Sequence, residues 1–417
     1  MSARPMPPIP SRKPGSAESA RLGVTPLLLV TLGLLTAVAP FATDLYLPAF
    51  PEMLVELDTS ASAVQGTLTA FLLGLAAGQL AFGPLSDRFG RRVPLIVGTS
   101  IYVVASVVTV VAPTIAVLTG ARLVQGLAGA AGMVIARAVI ADRATGRAAA
   151  RAFSLMMLVV GVAPVAAPLI GGLLAEALGW RGLLGIVLCL GVLMLVGVLA
   201  VVPETLPRNR RDELRRLAAT QGSGARDLAS AVFVGNTLAF GFGFAVMMAY
   251  IAASPFVYQE MMGVGPLVYG LGFGANALGL LAMTWVAARL AASVGPVRLV
   301  AVGLSAILSG ALAFLVLTLS GAPAGWLAVP LFLCVSSLGL VMGNATALAL
   351  GAVPRAAGTG SAVLGATQFA LGAAVAPLVG IGGESTSLPL AIVMVTCASI
   401  AVGSFAVAAR VAARAPH

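Results

Sequence analysis

The chain has 417 residues, 59% of them apolar and only 9% charged, with a mean hydropathy of +1.05. A soluble domain carries roughly 25% charged residues, and this chain lacks the polar surface needed to cover so much apolar material in water. Its formal charge of +10 does not indicate nucleic acid, because the basic residues are scattered over loops on one side and suit anionic lipid instead.

Residues 1–21 are rich in Pro and Ser, carry Arg4, Arg12 and Lys13, and read as a disordered cytoplasmic tail. About twelve apolar stretches follow, each near the roughly 20 residues that cross hydrocarbon. They are expected at 24–46, 61–83, 93–111, 115–137, 152–175 and 182–202, then at 229–253, 265–288, 297–319, 326–349, 358–380 and 387–409. In hydrocarbon the backbone bonds only to itself, so each must be a helix. The first has no small-residue cleavage pattern and is expected to stay as a membrane helix. Of the 24 Lys and Arg, all but Arg122 and Arg181 fall in the tails, in alternate gaps or, for Arg137 and Arg298, at the stretch ends that border those gaps. The positive-inside bias then places both termini in the cytoplasm.

Asp44 sits near the outer end of the first stretch, in Thr43-Asp44-Leu45-Tyr46-Leu47-Pro48. A carboxylate bordering hydrocarbon is costly to hold charged, usually faces a water-filled cavity and marks an ion or proton route. The other reading is a helix that ends earlier, with Asp44 as a surface cap. Glu52, Glu56 and Asp58 are expected in the outer loop, and Tyr46 is a candidate substrate contact.

Gly83-Pro84-Leu85-Ser86-Asp87-Arg88-Phe89-Gly90-Arg91-Arg92 fills the expected tight cytoplasmic turn after the second stretch. Gly90 permits the turn, Asp87 bonds helix N–H groups or a neighbouring Arg, and Arg91 and Arg92 anchor at the lipid surface.

In the fourth stretch Arg122 is the one basic residue deep inside an apolar segment, about 10 Å of helical rise from its start. It is expected either to sit in the interior or face a cavity with a partner, or to bond backbone carbonyls as a structural residue. Gln125 lies on roughly the same face. Gly161, Pro164, Pro168, Gly171 and Gly172 crowd the fifth stretch, which suits close helix contact and bending at a moving interface.

The segment 203–228 carries Arg208, Arg210, Arg211, Arg215, Arg216 and Arg226 and is expected to be a cytoplasmic linker between a bundle at 22–202 and one at 229–409. The seventh stretch holds Phe240, Phe242, Phe244, Met247, Met248 and Tyr250, followed by Ser254-Pro255-Phe256-Val257-Tyr258. Adaptable Met and aromatic surfaces suit apolar ligands of varied shape, and they equally suit lipid. Asn236, Asn276, Asn344 and Gln368 are the amides expected to bond across helices or face the path.

Ala167-Pro168-Leu169-Ile170-Gly171 of the fifth stretch recurs as Ala376-Pro377-Leu378-Val379-Gly380 in the eleventh. Each copy follows a basic loop, so both point the same way, as in transporters built from two parallel halves. Residues 410–417 are expected to be a cytoplasmic tail. The single histidine is His417, and Cys189, Cys334 and Cys397 lie in apolar stretches without disulfide or metal spacing. No cofactor, metal or histidine-based catalysis is expected, and the chain is not expected to be an enzyme.

Gly83 to Arg92 resembles the loop motif of the major facilitator superfamily, Gly-x-Leu-x-Asp-Arg-x-Gly-Arg-Arg, at every defined position. Arg122-Leu123-Val124-Gln125-Gly126 resembles its fourth-helix motif, and Ala167 to Gly172 the fifth-helix motif of its antiporters, with Ala-Pro in place of the usual Gly-Pro. Thr43 to Pro51 and Ser254 to Tyr258 resemble the bicyclomycin and chloramphenicol resistance exporters, drug:proton antiporters of bacterial inner membranes. The resemblance implies an all-α fold of twelve transmembrane helices in two parallel six-helix bundles. It implies that Asp44 and Arg122 couple protons to substrate, and that Gly83, Asp87, Arg88, Gly90, Arg91 and Arg92 form a cytoplasmic gate latching the halves. Tyr46, Gln125, Asn236, Met247, Tyr250, Asn276, Asn344 and Gln368 are the expected substrate path. The matching loop Ala287-Ala288-Arg289-Leu290 lacks the acidic member, so a latch there is weaker.

The expected function is export of small, largely apolar compounds driven by proton entry, by a monomer whose partners are substrate, protons and membrane lipid. Export of an endogenous metabolite or amino acid is the alternative. A non-transporting receptor would need a large extramembrane domain, and a membrane enzyme a cluster of polar catalytic groups; the sequence shows neither.

Overall fold

A computed structural model of the chain describes residues 25–144, 146–207, 211, 228–353, 357–381, 383 and 386–414. The expected tail at 1–21, most of the expected linker at 203–228 (208–210 and 212–227), and 415–417 lie outside these residues.

The first helix, α1 (Pro26–Asp44), starts where Thr25 Oγ1 accepts the Leu28 N–H at 3.2 Å, with Pro26 preset for the first turn. A 3-10 turn (Leu47–Ala49) leads to the short α2 (Phe50–Glu56). Then come α3 (Ala61–Phe89), α4 (Arg92–Val110), α5 (Ile115–Arg143) and α6 (Gly146–Val201). Ser60 and Thr114 cap α3 and α5 in the same way as Thr25. The second half holds α7 (Ala231–Pro255), a π-helical turn (Phe256–Met261), α8 (Pro266–Val294) and α9 (Pro296–Leu319). It ends with α10 (Ala328–Gly351), α11 (Ala357–Val375), a 3-10 turn (Ala376–Gly380) and α12 (Leu388–Arg414).

No strand occurs among the described residues, and eleven helical stretches are long and apolar enough to cross a membrane. The protein is an all-α polytopic membrane protein. One stretch, Gly161–Val201, spans 41 residues, about twice the length a crossing needs. It breaks at Gly179, where φ is +62° and ψ 178°, a conformation that glycine tolerates and other residues rarely adopt.

The structure corrects four boundaries. Gly83 to Phe89 is not a turn: α3 continues through it, with Ser86 Oγ donating to the Gly83 carbonyl at 2.9 Å. Nothing there stops a helix until Gly90, whose φ is +92°. The helix α5 runs on to Arg143 rather than stopping at 137, because a helix does not end where its apolar face ends. The helix α12 reaches Arg414, through most of the expected tail. Lastly, Ala376-Pro377 is wound as a 3-10 turn, whereas Ala167-Pro168 remains inside α6. The sequence repeat therefore does not repeat the backbone.

Within the first half α3 and α4 pack on α5, and α1 and α4 pack on α6; within the second α7 packs on α10, α11 and α12, while α10 also packs on α8 and α9. Two main seams join the halves, α6 against α8 and α3 against α11. At the α6–α8 seam Gly172 faces the Pro266 carbonyl and Gly270 faces that of Pro168, so close that a Cβ at either would collide with backbone. Glycine is needed there for approach rather than for dihedral freedom. Large apolar side chains such as Val104, Leu193 and Val316 remain exposed around the outside, as a hydrocarbon solvent allows.

Candidate functional site

Between the halves lies a cavity of about 220 Å³. Asp44 reaches it from α1, Pro164 from α6, Met247 and Tyr250 from α7, Asn276 from α8 and Gln368 from α11. Thr36 and Thr43 also line it, and its walls are otherwise apolar and aromatic. Phe244 meets Phe369 edge-on with centroids 5.6 Å apart, and Tyr250 stacks on Phe273 at 5.4 Å.

Asp44 is the last residue of α1, yet only 3% exposed. The Thr43 hydroxyl lies 2.7 Å from Oδ1, closer than it lies to the carbonyls of Ala39 and Pro40. No basic side chain pairs with Asp44 among the described residues. The surface-cap alternative is thus excluded by burial: the helix does end here, but in the cavity wall.

Tyr250 and Asn276, which line the cavity with Asp44, lie beside further hydroxyls of the second half. Asn276 Nδ2 donates to Tyr250 OH at 2.7 Å and lies 3.4 Å from Tyr258 OH, and Ser254 Oγ sits 3.0 Å from Tyr269 OH. Tyr269 carried no signal in the sequence, since its neighbours are ordinary apolar residues.

Arg122 does not line the cavity. It is fully buried behind it, with Nη1 donating to Gln125 Oε1 and Nη2 to the Ala42 carbonyl, both at 2.7 Å. Its guanidinium carbon stands 4.4 Å from the centre of the Phe71 ring and 4.8 Å from that of Tyr46. Gln125 in turn donates to Ser106 Oγ at 2.7 Å, and Tyr46 OH lies 2.9 Å from Thr67 Oγ1. Both sequence alternatives therefore meet in one residue, which has a side-chain partner and a backbone carbonyl. It has no carboxylate partner among the described residues. Tyr46 and Gln125 belong to this cluster, not to the cavity. Asn236 and Asn344 stand apart from both: each donates to its own helix, at Val232 and Leu340, at 2.8 Å.

The five packing residues gather where α6 meets α1 and α8. Gly161 faces Leu281, Gly171 the Leu45 carbonyl, and Pro168 and Gly172 the α8 backbone, while Pro164 lines the cavity.

At the Arg-rich end, Arg91 is the hub. Nη1 donates to Asp87 Oδ1 at 2.6 Å and to Ser86 Oγ at 2.7 Å, and Nε donates to Asp142 Oδ2 at 3.0 Å. Thr205 Oγ1 donates to the same Asp142 oxygen at 2.9 Å. Glu204 accepts the backbone N–H of Arg91 at 2.9 Å and of Arg92 at 3.3 Å, so it caps α4, and it pairs with Arg211 at 3.3 Å. Arg92 donates to the Leu199 carbonyl at 3.1 Å, and Arg88 lies over the Phe89 ring. The bonds of Asp87, Arg91 and Arg92 tie α3, α4, α5 and the segment after α6. They stay inside the first half, where a latch between halves was expected. Asp142, Glu204 and Thr205 were not anticipated, because they lie far along the chain from the motif they complete.

These exposures rank two substitutions. The Asp87 side chain is 59% exposed and that of Asp142 16%. An exposed pair contributes about 0–1 kcal/mol, whereas a charged hydrogen bond at a sheltered site contributes about 1.5–3 kcal/mol. Asp142→Ala should lower the melting temperature in detergent more than Asp87→Ala does; thermal denaturation of the two variants checks the order, and the reverse order refutes the ranking.

At the opposite end Glu52 and Glu56 are held in α2 rather than in an open loop. Glu56 accepts Trp180 Nε1–H at 2.6 Å and pairs with Arg181, and Glu52 accepts the Trp180 N–H at 3.2 Å. The two carboxylates clasp the break at Gly179. Here the halves also touch: Phe50 and Phe256 have ring centres 6.1 Å apart. Both hydrogen bonds seen between the halves among the described residues lie at this end, from Gln65 and from Gln259.

The chain matches the sequence profile of the Major Facilitator Superfamily over residues 32–377. It is 34% identical to an uncharacterized MFS-type transporter, YdgK, of Bacillus subtilis (strain 168), over 89% of this chain and 93% of that protein. It is 30% identical to a bicyclomycin resistance protein homolog of Haemophilus influenzae, over 90% of this chain and 94% of the relative. Its fold is similar to the crystal structure of a D-xylose-proton symporter, with a TM-score of 0.73 at 15% identity, covering 90% of this chain and 96% of that one. The profile match together with relatives aligned over almost their whole length shows that this bacterial multi-pass inner-membrane protein belongs to the Major Facilitator Superfamily, a family of membrane carriers rather than enzymes.

Proposed function

We propose that the chain is a drug:proton antiporter that exports small, largely apolar compounds of the bicyclomycin-like or chloramphenicol-like kind. The observation that carries this reading is Asp44, a buried carboxylate in a largely apolar and aromatic cavity between the halves. A transporter that exchanges a proton for a greasy substrate needs such a site: a group that binds the proton, and a wall that accepts varied shapes through rings and Met247. The bicyclomycin resistance homolog, aligned over 90% of this chain, supports the substrate class.

In this reading the break at Gly179 divides Gly161–Val201 into two crossings, which makes twelve with the other ten stretches. They form two six-helix bundles, 22–202 and 229–409, joined by 203–228. The positive-inside bias makes the Arg-rich end cytoplasmic, with both termini there. The structure is then closed on the outer side, where Gln65 and Gln259 join the halves, and its cavity serves the cytoplasm. Arg122 and Gln125 brace α1 behind Asp44, and the Arg91 hub holds the cytoplasmic end of the first bundle as one body.

A growth-inhibition panel tests the reading. Cells making the intact protein should tolerate at least one apolar antibiotic better than vector controls do, and Asp44→Asn should remove the difference. A panel in which the intact protein protects against nothing refutes drug export.

A further inference from the structure

We propose that Gln65 and Gln259 are positioning residues of the transport cycle, a reciprocal pair of uncharged bolts that holds the outer face shut without responding to pH. Naming that face as the outer one rests on the orientation proposed above.

Gln65, on α3 of the first half, donates Nε2–H to the Ala252 carbonyl of α7 at 3.0 Å. Gln259, in the π-helical turn of the second half, donates Nε2–H to the Pro48 carbonyl of the first at 3.0 Å. Each half thus offers one side-chain amide to one main-chain oxygen of the other. Because the acceptors are backbone, they are present whatever side chains surround them, and both lie in irregular backbone or beside it, where α1 and α7 give way to tighter or looser turns.

Gln65 is not placed there for packing. It is 1% exposed, and its Oε1 is buried with no hydrogen-bond partner. That oxygen lies against Gly380, where any Cβ would strike it, so the opposite surface is shaped around the amide. A buried amide that satisfies its donor and leaves its acceptor dry is costly. Closure gains the bond to Ala252, and opening gains water for Oε1. Water for Oε1 offsets only part of the bond, so the seal is firm enough to hold and weak enough to break in each cycle. Glu52 on α2 and Glu176 on α6 share a pocket with Gln259, Glu260 is its chain neighbour, Glu56, Asp58 and Arg181 also lie at this end, and Tyr258 and Asp44 lie deeper. None of them bonds either amide among the described residues. An amide does not titrate, so the seal leaves proton sensing to the cavity.

The test uses the full chain with its three cysteines replaced, spin-labelled at Val55→Cys and Ile381→Cys. These are exposed positions on opposite halves of this end. Distances are measured in lipid nanodiscs without substrate, in an Asp44→Asn background that removes the proposed proton site. Gln259→Met should raise the ratio of outer-open to outer-closed protein by about fivefold, the factor for one neutral hydrogen bond, and Gln65→Met by about twofold, because it also removes the dry Oε1. Gln65→Glu should close near pH 5, where the protonated acid can donate to Ala252, and open near pH 8, where the carboxylate cannot. The parent should show the same distances at both. Methionine variants with the parental distances overturn the proposal, as does a Gln65→Glu distribution that does not move with pH. The pH reversal is read within one sample, so a variant that folds poorly does not blur it. No drug is present, so failure of the bolts and failure of drug export are separate results.

Discussion

Asp44→Asn is expected to abolish uphill, pH-driven efflux while leaving the protein folded and in the membrane. The amide is nearly isosteric with the carboxyl, and its Oδ1 can accept the Thr43 hydroxyl as the aspartate does at 2.7 Å. What it cannot do is exchange a proton. With the outer face open, Asp44 meets the more acidic side and loads a proton. In the proposed orientation, with the outer face sealed, it meets the cytoplasm and must release that proton before or as substrate binds. Mutual exclusion of proton and substrate is the coupling free energy that antiport requires. A gradient of one pH unit supplies about 1.4 kcal/mol per proton, about a tenfold concentration ratio of substrate. Asp44→Asn should bring that ratio to one at any imposed gradient. Binding of a neutral drug should survive, and binding of a cationic drug should weaken, since no other carboxylate lines the cavity among the described residues. Efflux from proteoliposomes, with substrate-induced proton release recorded in parallel, makes the measurement. Full pH-driven accumulation by Asp44→Asn would remove it from the coupling mechanism and move attention to Arg122 and the buried amides.

The parts of this architecture that were legible in the sequence are those written in hydrophobic length and charge. A run of about 20 apolar residues leaves little choice but a helix, and the α4 and α9 boundaries differ from expectation by a single residue at most. Asp44, Met247, Tyr250, Asn276 and Gln368 were legible as unusual residues in apolar runs, and the structure brings all of them to one cavity. The same logic placed Asn236 and Asn344 in the path, and there it failed. An amide inside a helix can turn back on its own carbonyl ladder, and a sequence does not distinguish that from facing a cavity.

What remained illegible depends on partners far apart along the chain. Arg91 was read with its neighbour Asp87, but its more sheltered partner, Asp142, lies at the end of α5, and Glu204 reaches the same corner from beyond α6. The bolts at Gln65 and Gln259 were hidden more completely, because their acceptors are main-chain carbonyls that every residue carries. Gly179 was lost for another reason. An expected loop between two apolar stretches turned out to need only one residue with positive φ, held by Glu52 and Glu56 through Trp180.

Arg122 is expected to separate stability from transport. An unpaired buried ion costs several kcal/mol to desolvate. Against this stand charge-assisted bonds to Gln125 and Ala42, each contributing about 1.5–3 kcal/mol, and two aromatic faces contributing about 0.5–2 kcal/mol each. The two sides nearly cancel, so an apolar side chain of similar length should fill the site at little cost. Arg122→Met should therefore fold and melt close to the native protein. Its transport should nonetheless collapse, because the bond from Nη2 to the Ala42 carbonyl, two residues before Asp44, is the direct tie between α5 and the end of α1 that carries the carboxylate. Arg122→Ala should lose transport as well, and stability too, since it leaves a void between Tyr46 and Phe71. Arg122→Lys keeps the charge but cannot reach Gln125 and Ala42 together as the planar fork does, so it should retain only part of the coupled efflux. Melting temperature, efflux and proton release measured on the three variants decide the matter. If Arg122→Met transports and couples like the native protein, the residue is a structural one that braces α1 passively, and proton coupling in this chain runs through Asp44 without it.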